Sequence, residues 1–114
     1  MKTQSTLHLL AAAVAGLAFS LPVHAEPDAD AAQKLVKSSG CSKCHTVDKA
    51  KKGPSFQKVA AKYKGKADAE AKLVEFVTKS PKVKMDDGSE EDHKAVSTKD
   101  TAQIKYLVQW VLAQ

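Results

Sequence analysis

"SGCSKCHTVDKAKKGPSF", residues 39–56, contains the only two cysteines of the chain, Cys41 and Cys44, and His45 follows the second directly. Four chemistries can use such a run. A structural zinc takes four ligands, and beyond residue 45 only His93 could join the set. A thioredoxin-like dithiol belongs where a strand enters a helix, and no strand pattern precedes Cys41. A plain disulfide would close a loop too short to constrain the unfolded chain much, and it would leave His45 without a task. Covalent attachment of a haem uses all three side chains.

The stretch ahead of this run bears on the choice. Lys2 precedes the apolar "LHLLAAAVAGLAFSL", and Val23 and Ala25 stand where a signal peptidase reads small residues. The apolar run is shorter than the roughly 20 residues of a spanning helix. Residues 1–25 are therefore expected to be a cleaved export signal, with no stable membrane insertion afterwards. The expected domain, residues 26–114, has 89 residues and five aromatics: Phe56, Tyr63, Phe76, Tyr106 and Trp110. A domain that small buries only about 60% of its unfolded surface, and small exported domains commonly rely on several disulfides. One cysteine pair cannot serve that way, so another source of apolar volume is expected.

Without its leader the chain carries 17 lysines against 13 carboxylates, a net charge of +4 with histidine neutral, and it has no arginine. Nucleic-acid readers lean on arginine for bidentate contacts, so no nucleic-acid partner is expected. A lysine-rich surface suits an acidic protein partner.

Hydrophobic periodicity predicts an all-α domain. "DADAAQKLVKSSG" places Ala32, Leu35 and Val36 on one helical face and stops at Gly40. Residues 41–54 read as loop with a helical turn. "SFQKVAAKYKG" offers Ser55 as a cap, a stripe of Phe56, Val59, Ala60 and Tyr63, and Gly65 as a stop. "DAEAKLVEFVTKSP" begins at Asp68, turns Leu73, Val74, Phe76 and Val77 to the core, and ends before Pro81. Residues 81–96 read as irregular, with a basic half and an acidic half. Ser97, with Asp100 three residues on, predicts a capping-box start for a last helix carrying Ile104, Leu107, Val108, Val111 and Leu112.

Export, small size and an all-α pattern all agree with a haem. Two thiols at this spacing can add to the two vinyl groups on one porphyrin edge, and the next histidine then supplies a nitrogen to the iron. The macrocycle provides the apolar volume that the side chains lack.

With "CSKCH", "KKGPSFQKVAAKYKG" and the terminal "DTAQIKYLVQWVLAQ" together, the chain resembles the class I c-type cytochromes, small single-haem electron carriers of the bacterial periplasm. The resemblance implies a fold of about four helices around one covalent haem c. It implies Cys41 and Cys44 as attachment points and His45 as proximal axial ligand. It also implies that the carbonyl of Pro54 accepts a hydrogen bond from the other nitrogen of His45, the support metal-bound histidines usually have. Residue chemistry alone reads Gly53-Pro54 as an ordinary turn.

For the distal ligand the family usually offers a methionine in the loop before the last helix, often as Val-Pro-Met. "KVKM" resembles this, so Met85 is the expected distal ligand, without the prolines that normally flank it. His93 is the alternative, because it lies near the position reached by counting back from Trp110. A thioether would raise the reduction potential relative to an imidazole.

No serine, cysteine or carboxylate constellation has a base at hand, so no enzymatic activity is expected. The expected function is a monomeric periplasmic carrier passing single electrons between redox proteins by outer-sphere transfer. Lys43, Lys49, Lys51 and Lys52 would ring its haem edge. The alternative is a haem protein with a labile distal ligand that binds or senses a small molecule. The acidic run Asp86, Asp87, Glu90, Glu91 and Asp92 reads as a solvated loop.

Overall fold

A computed structural model describes Gly16 and residues 28–114. The expected export signal and its cleavage point fall outside the described residues, Gly16 apart. The elements are four helices, α1 (Ala29–Ser38), α2 (Phe56–Tyr63), α3 (Ala69–Lys79) and α4 (Thr101–Leu112), with a 3-10 turn at Cys41–Lys43 and two short strands, β1 (Lys82–Lys84) and β2 (Glu90–Asp92).

Helix α1 starts where the Asp28 carboxylate accepts the Ala31 N–H at 3.0 Å, satisfying one of the donors every helix start leaves free. Ala32, Leu35 and Val36 form its buried face. It ends at Gly40, whose φ of 71° lies in the left-handed region that glycine enters at little cost. The preceding Ser39 is 2% exposed. Its hydroxyl accepts the Ser97 N–H at 3.0 Å, which ties the end of α1 to the segment that leads into α4.

Helix α2 is capped by Ser55, whose hydroxyl accepts the Lys58 N–H at 3.1 Å. Its first two amides, of Phe56 and Gln57, donate to the carbonyls of Thr46 and Val47 at 2.9 and 3.0 Å. Donors that would otherwise be unpaired thus anchor the cysteine-containing loop. Helix α3 buries Ala69 and Leu73, with Val74, Phe76 and Val77 half-buried, and it stops at Ser80 ahead of Pro81.

Helix α4 packs against each of the other three helices. Ile104, Leu107 and Val108 are its buried residues. Leu35, Val36, Phe56 and Leu107 form the central cluster, with Cys41, Val96, Trp110 and Val111 against it. Phe56 is the only aromatic buried there; Trp110 and Phe76 are half-buried, and Tyr106 is exposed.

Two expectations need correction. Helix α4 is capped by Asp100, whose carboxylate accepts the Ala102 and Gln103 N–H groups at 2.9 and 3.1 Å. Ser97 does not start it, because its amide and hydroxyl are both engaged by Ser39. The segment read as irregular contains an antiparallel hairpin, with Lys82 opposite Asp92, Val83 opposite Glu91 and Lys84 opposite Glu90. Opposite charges facing across the strands favour this pairing, and Lys82 and Asp92 meet at 3.0 Å. The tip is a three-residue loop. The Gly88 N–H donates to Met85 O at 3.0 Å and the Met85 N–H to Ser89 O at 2.8 Å. Gly88, at φ 86°, takes the left-handed position such a loop requires.

Candidate functional site

The turn Cys41–Lys43 follows Gly40 directly, and the amides of Cys44 and His45 both donate to Cys41 O, at 3.1 and 2.9 Å. This tight winding brings both thiols and the imidazole onto one short segment. Both cysteines are half-buried, and they form no disulfide with each other. Burial pushes the Cys41 thiol above its ordinary pKa, opposed in part by its own backbone and by the Lys94 ammonium.

His45 is fixed from two sides. Its Nδ1 donates to the carbonyl of Pro54 at 2.7 Å, which leaves Nε2 as the nitrogen available for a metal. Its ring also stacks on Phe56, with centroids 5.3 Å apart and planes 23° from parallel. Gly53 lets the loop close over the ring: a Cβ there would lie 2.6 Å from His45 Cε1.

The His93 ring lies 6.1 Å from that of His45, tilted by 46°. Its backbone N–H donates to Pro81 O at 2.9 Å, extending the hairpin pairing by one step. The ring meets Phe76 edge-on at 4.9 Å, and its Nδ1 is buried without a hydrogen-bond partner. Burial, reinforced by the neighbouring His45, holds the His93 pKa below the ordinary histidine value, opposed in part by the backbone at Lys94. With the edge-on contact of Phe56 and Trp110 at 5.4 Å, a column of rings runs Trp110, Phe56, His45, His93, Phe76.

The structure therefore brings together Cys41, Cys44, His45, Pro54 and His93. Met85 lies at the hairpin tip, half-buried, with its amide and carbonyl used by the turn. The residues missed by sequence reasoning are Gly53 and the aromatic partners Phe56 and Phe76. Only Phe56 carried a local signal, as the first apolar residue after the Gly-Pro turn.

These donors suit a haem. Two thiols, an oriented imidazole and a second imidazole with an unpartnered buried nitrogen are groups that a porphyrin and its iron would engage. Among the described residues no group of three or more His, Cys, Asp or Glu could hold a metal ion by itself.

A helical domain of this kind, with both thiols and a backed histidine on the loop after α1, is a class I cytochrome fold. The family profile for cytochrome c matches residues 29–114, and the chain belongs to that family. The crystal structure of the class 1 cytochrome MtoD from Sideroxydans lithotrophicus ES-1 superposes with a TM-score of 0.73 at 54% identity, covering 75% of this chain and 95% of that one. Cytochrome c552 of Nitrosomonas europaea superposes at 0.55 with 28% identity, covering 70% and 95%. Cytochrome c-551 of Allochromatium vinosum is 48% identical over 48 residues, 42% of this chain and 51% of that protein. The match thus spans about half the length of this curated relative. Family membership and the Cys41–Cys44 spacing make the cofactor a covalently bound haem c.

Proposed function

We propose that the protein is an exported, periplasmic single-haem electron carrier. The observation that carries the reading is His45, backed through Nδ1 by Pro54 O at 2.7 Å and facing a second imidazole across 6.1 Å. A haem held there would supply one-electron redox chemistry at its iron. Cys41 and Cys44 would hold the porphyrin edge through thioether bonds, and His45 would supply a nitrogen to the iron through Nε2. By accepting the Nδ1–H, the Pro54 carbonyl fixes the ring and leaves more electron density on the imidazole, making His45 a stronger donor. Fixed ligands mean little rearrangement between oxidation states, which favours outer-sphere transfer over substrate chemistry.

Lys43, Lys49, Lys51 and Lys52 are exposed around the attachment segment. Lys51 reaches back to Ser42 O at 3.0 Å and so stays beside the 3-10 turn. A cationic rim there would steer acidic redox proteins toward the haem edge. Among the described residues no helix is long and apolar enough to cross a membrane.

The test is the rate of electron exchange with an acidic redox protein, measured by stopped flow at rising ionic strength. Screening over a Debye length that shrinks from about 30 Å at 0.01 M to about 10 Å at 0.1 M should slow the reaction severalfold. A rate indifferent to salt would remove the steering role. Rapid binding of carbon monoxide to the reduced protein would favour a small-ligand sensor instead.

A further inference from the structure

The geometry points to the imidazole of His93, at the base of the hairpin, as the second axial ligand of the haem iron, opposite His45. This inference rests on the haem reading above, and it takes the place that the sequence gives to Met85.

Two imidazoles bound on opposite sides of one metal at about 2.0 Å each, with ring centres set back behind the donor nitrogens, stand roughly 6 Å apart. The His45 and His93 rings are 6.1 Å apart. A tilt of 46° between them is compatible with both rings standing upright on one porphyrin plane, since such rings can take any angle about the shared axis.

Nδ1 of His93 is buried with no partner, a situation that costs about 1–3 kcal/mol and that native proteins rarely leave without a role. Meanwhile the residue itself is well fixed. Its amide is bonded to Pro81 O at 2.9 Å and its ring sits edge-on to Phe76 at 4.9 Å. A ring held this firmly beside His45, with a nitrogen unused, is suited to ligation.

Side chains alternate between strand faces, so Pro81, Val83 and Met85 share a face with Ser89, Glu91 and His93. Within that face His93 pairs at the base and Met85 at the tip. Four residues at about 3.3 Å each separate the two levels by roughly 13 Å. His45 is at the level of His93, and the Met85 backbone is committed to the turn around Gly88.

The test uses the purified holoprotein, with covalent haem first established by mass and by its red colour. Ferric spectra and electron paramagnetic resonance are then compared for the wild type, Met85→Leu, His93→Met and His93→Gly. The inference expects a low-spin wild type without the weak long-wavelength band of sulfur ligation, and no change in Met85→Leu. His93→Met should gain that band and move to a higher reduction potential. His93→Gly should become high-spin and bind carbon monoxide when reduced, with added imidazole restoring the low-spin spectrum. A sulfur band in the wild type that disappears in Met85→Leu would overturn the inference and leave the haem reading intact. So would a His93→Gly protein that stays low-spin without added imidazole. If His93→Gly or His93→Met does not mature, the wild-type and Met85→Leu spectra still decide the matter. A colourless protein with the mass of the bare polypeptide, from a host able to attach haem, would instead overturn the haem reading itself.

Discussion

Gly53 approaches the His45 ring so closely that a methyl group at residue 53 would lie 2.6 Å from Cε1 and 2.9 Å from Nδ1. Gly53 N–H is also bonded to Cys44 O at 2.8 Å, so the loop cannot easily swing away. Gly53→Ala should therefore push the imidazole off its line to Pro54. The expected outcome is poor haem retention or a reduction potential displaced from the wild type, read by haem content and redox titration. An alanine variant with unaltered potential and spectrum would show that the ring has room to spare.

Buried Ser39 and exposed Ser97 form a part-buried polar contact between α1 and the segment before α4. In Ser39→Ala the Ser97 N–H loses its 3.0 Å acceptor in a part-buried contact, and a hydrogen bond of this kind contributes about 0.5–1.5 kcal/mol net. Urea unfolding followed by far-ultraviolet circular dichroism should show a lower midpoint with an unchanged slope.

Leu107 is 3% exposed within the central cluster. Truncation to alanine should cost about 2–5 kcal/mol, a large part of the roughly 5–15 kcal/mol by which a domain is usually stable. Leu107→Ala should therefore melt far below the wild type, whereas Tyr106→Ala, at an exposed neighbouring position, should shift the melting temperature little.

Asp87 at the hairpin tip accepts hydrogen bonds from the Ser89 hydroxyl and amide at 2.6 and 2.9 Å. The hydroxyl first, then the amide, with a smaller share from Lys52, hold its carboxyl below the ordinary 3.8. The folded value is the lower one, so the contribution of this turn is complete above the ordinary carboxylate pKa and is lost as pH falls through the depressed value. The Ser89 amide resonance should titrate below 3.8, and Ser89→Ala should bring Asp87 back toward its ordinary pKa.

Much of the site is legible in sequence because it is local. Cys41, Cys44 and His45 lie within five residues, and Pro54 closes the same loop. Caps and stops at Ser55, Gly40 and Gly65 are likewise set by their neighbours alone. The hairpin was missed because its strands are three residues each and mostly exposed, too short to show alternation. Its real signal was Asp87-Gly88, a turn dipeptide between a basic and an acidic segment. Ser97 misled for a different reason: its partner, Ser39, is 58 residues away in the chain, and no local pattern reports that contact. The same limit applies to His93, whose place beside His45 depends on strand register.

Isolated two-stranded hairpins hardly persist in water, and this one is tied to the helices mainly through the Val96 amide on Val77 O at 3.0 Å and the ring of His93 on Phe76. One flank of the redox centre is thus a solid helical wall, while the other is a shallow flap whose amides should trade hydrogen for deuterium well before those of α4. Attaching the cofactor would then act as a clasp between the two, so the apoprotein should lose protection at the flap first.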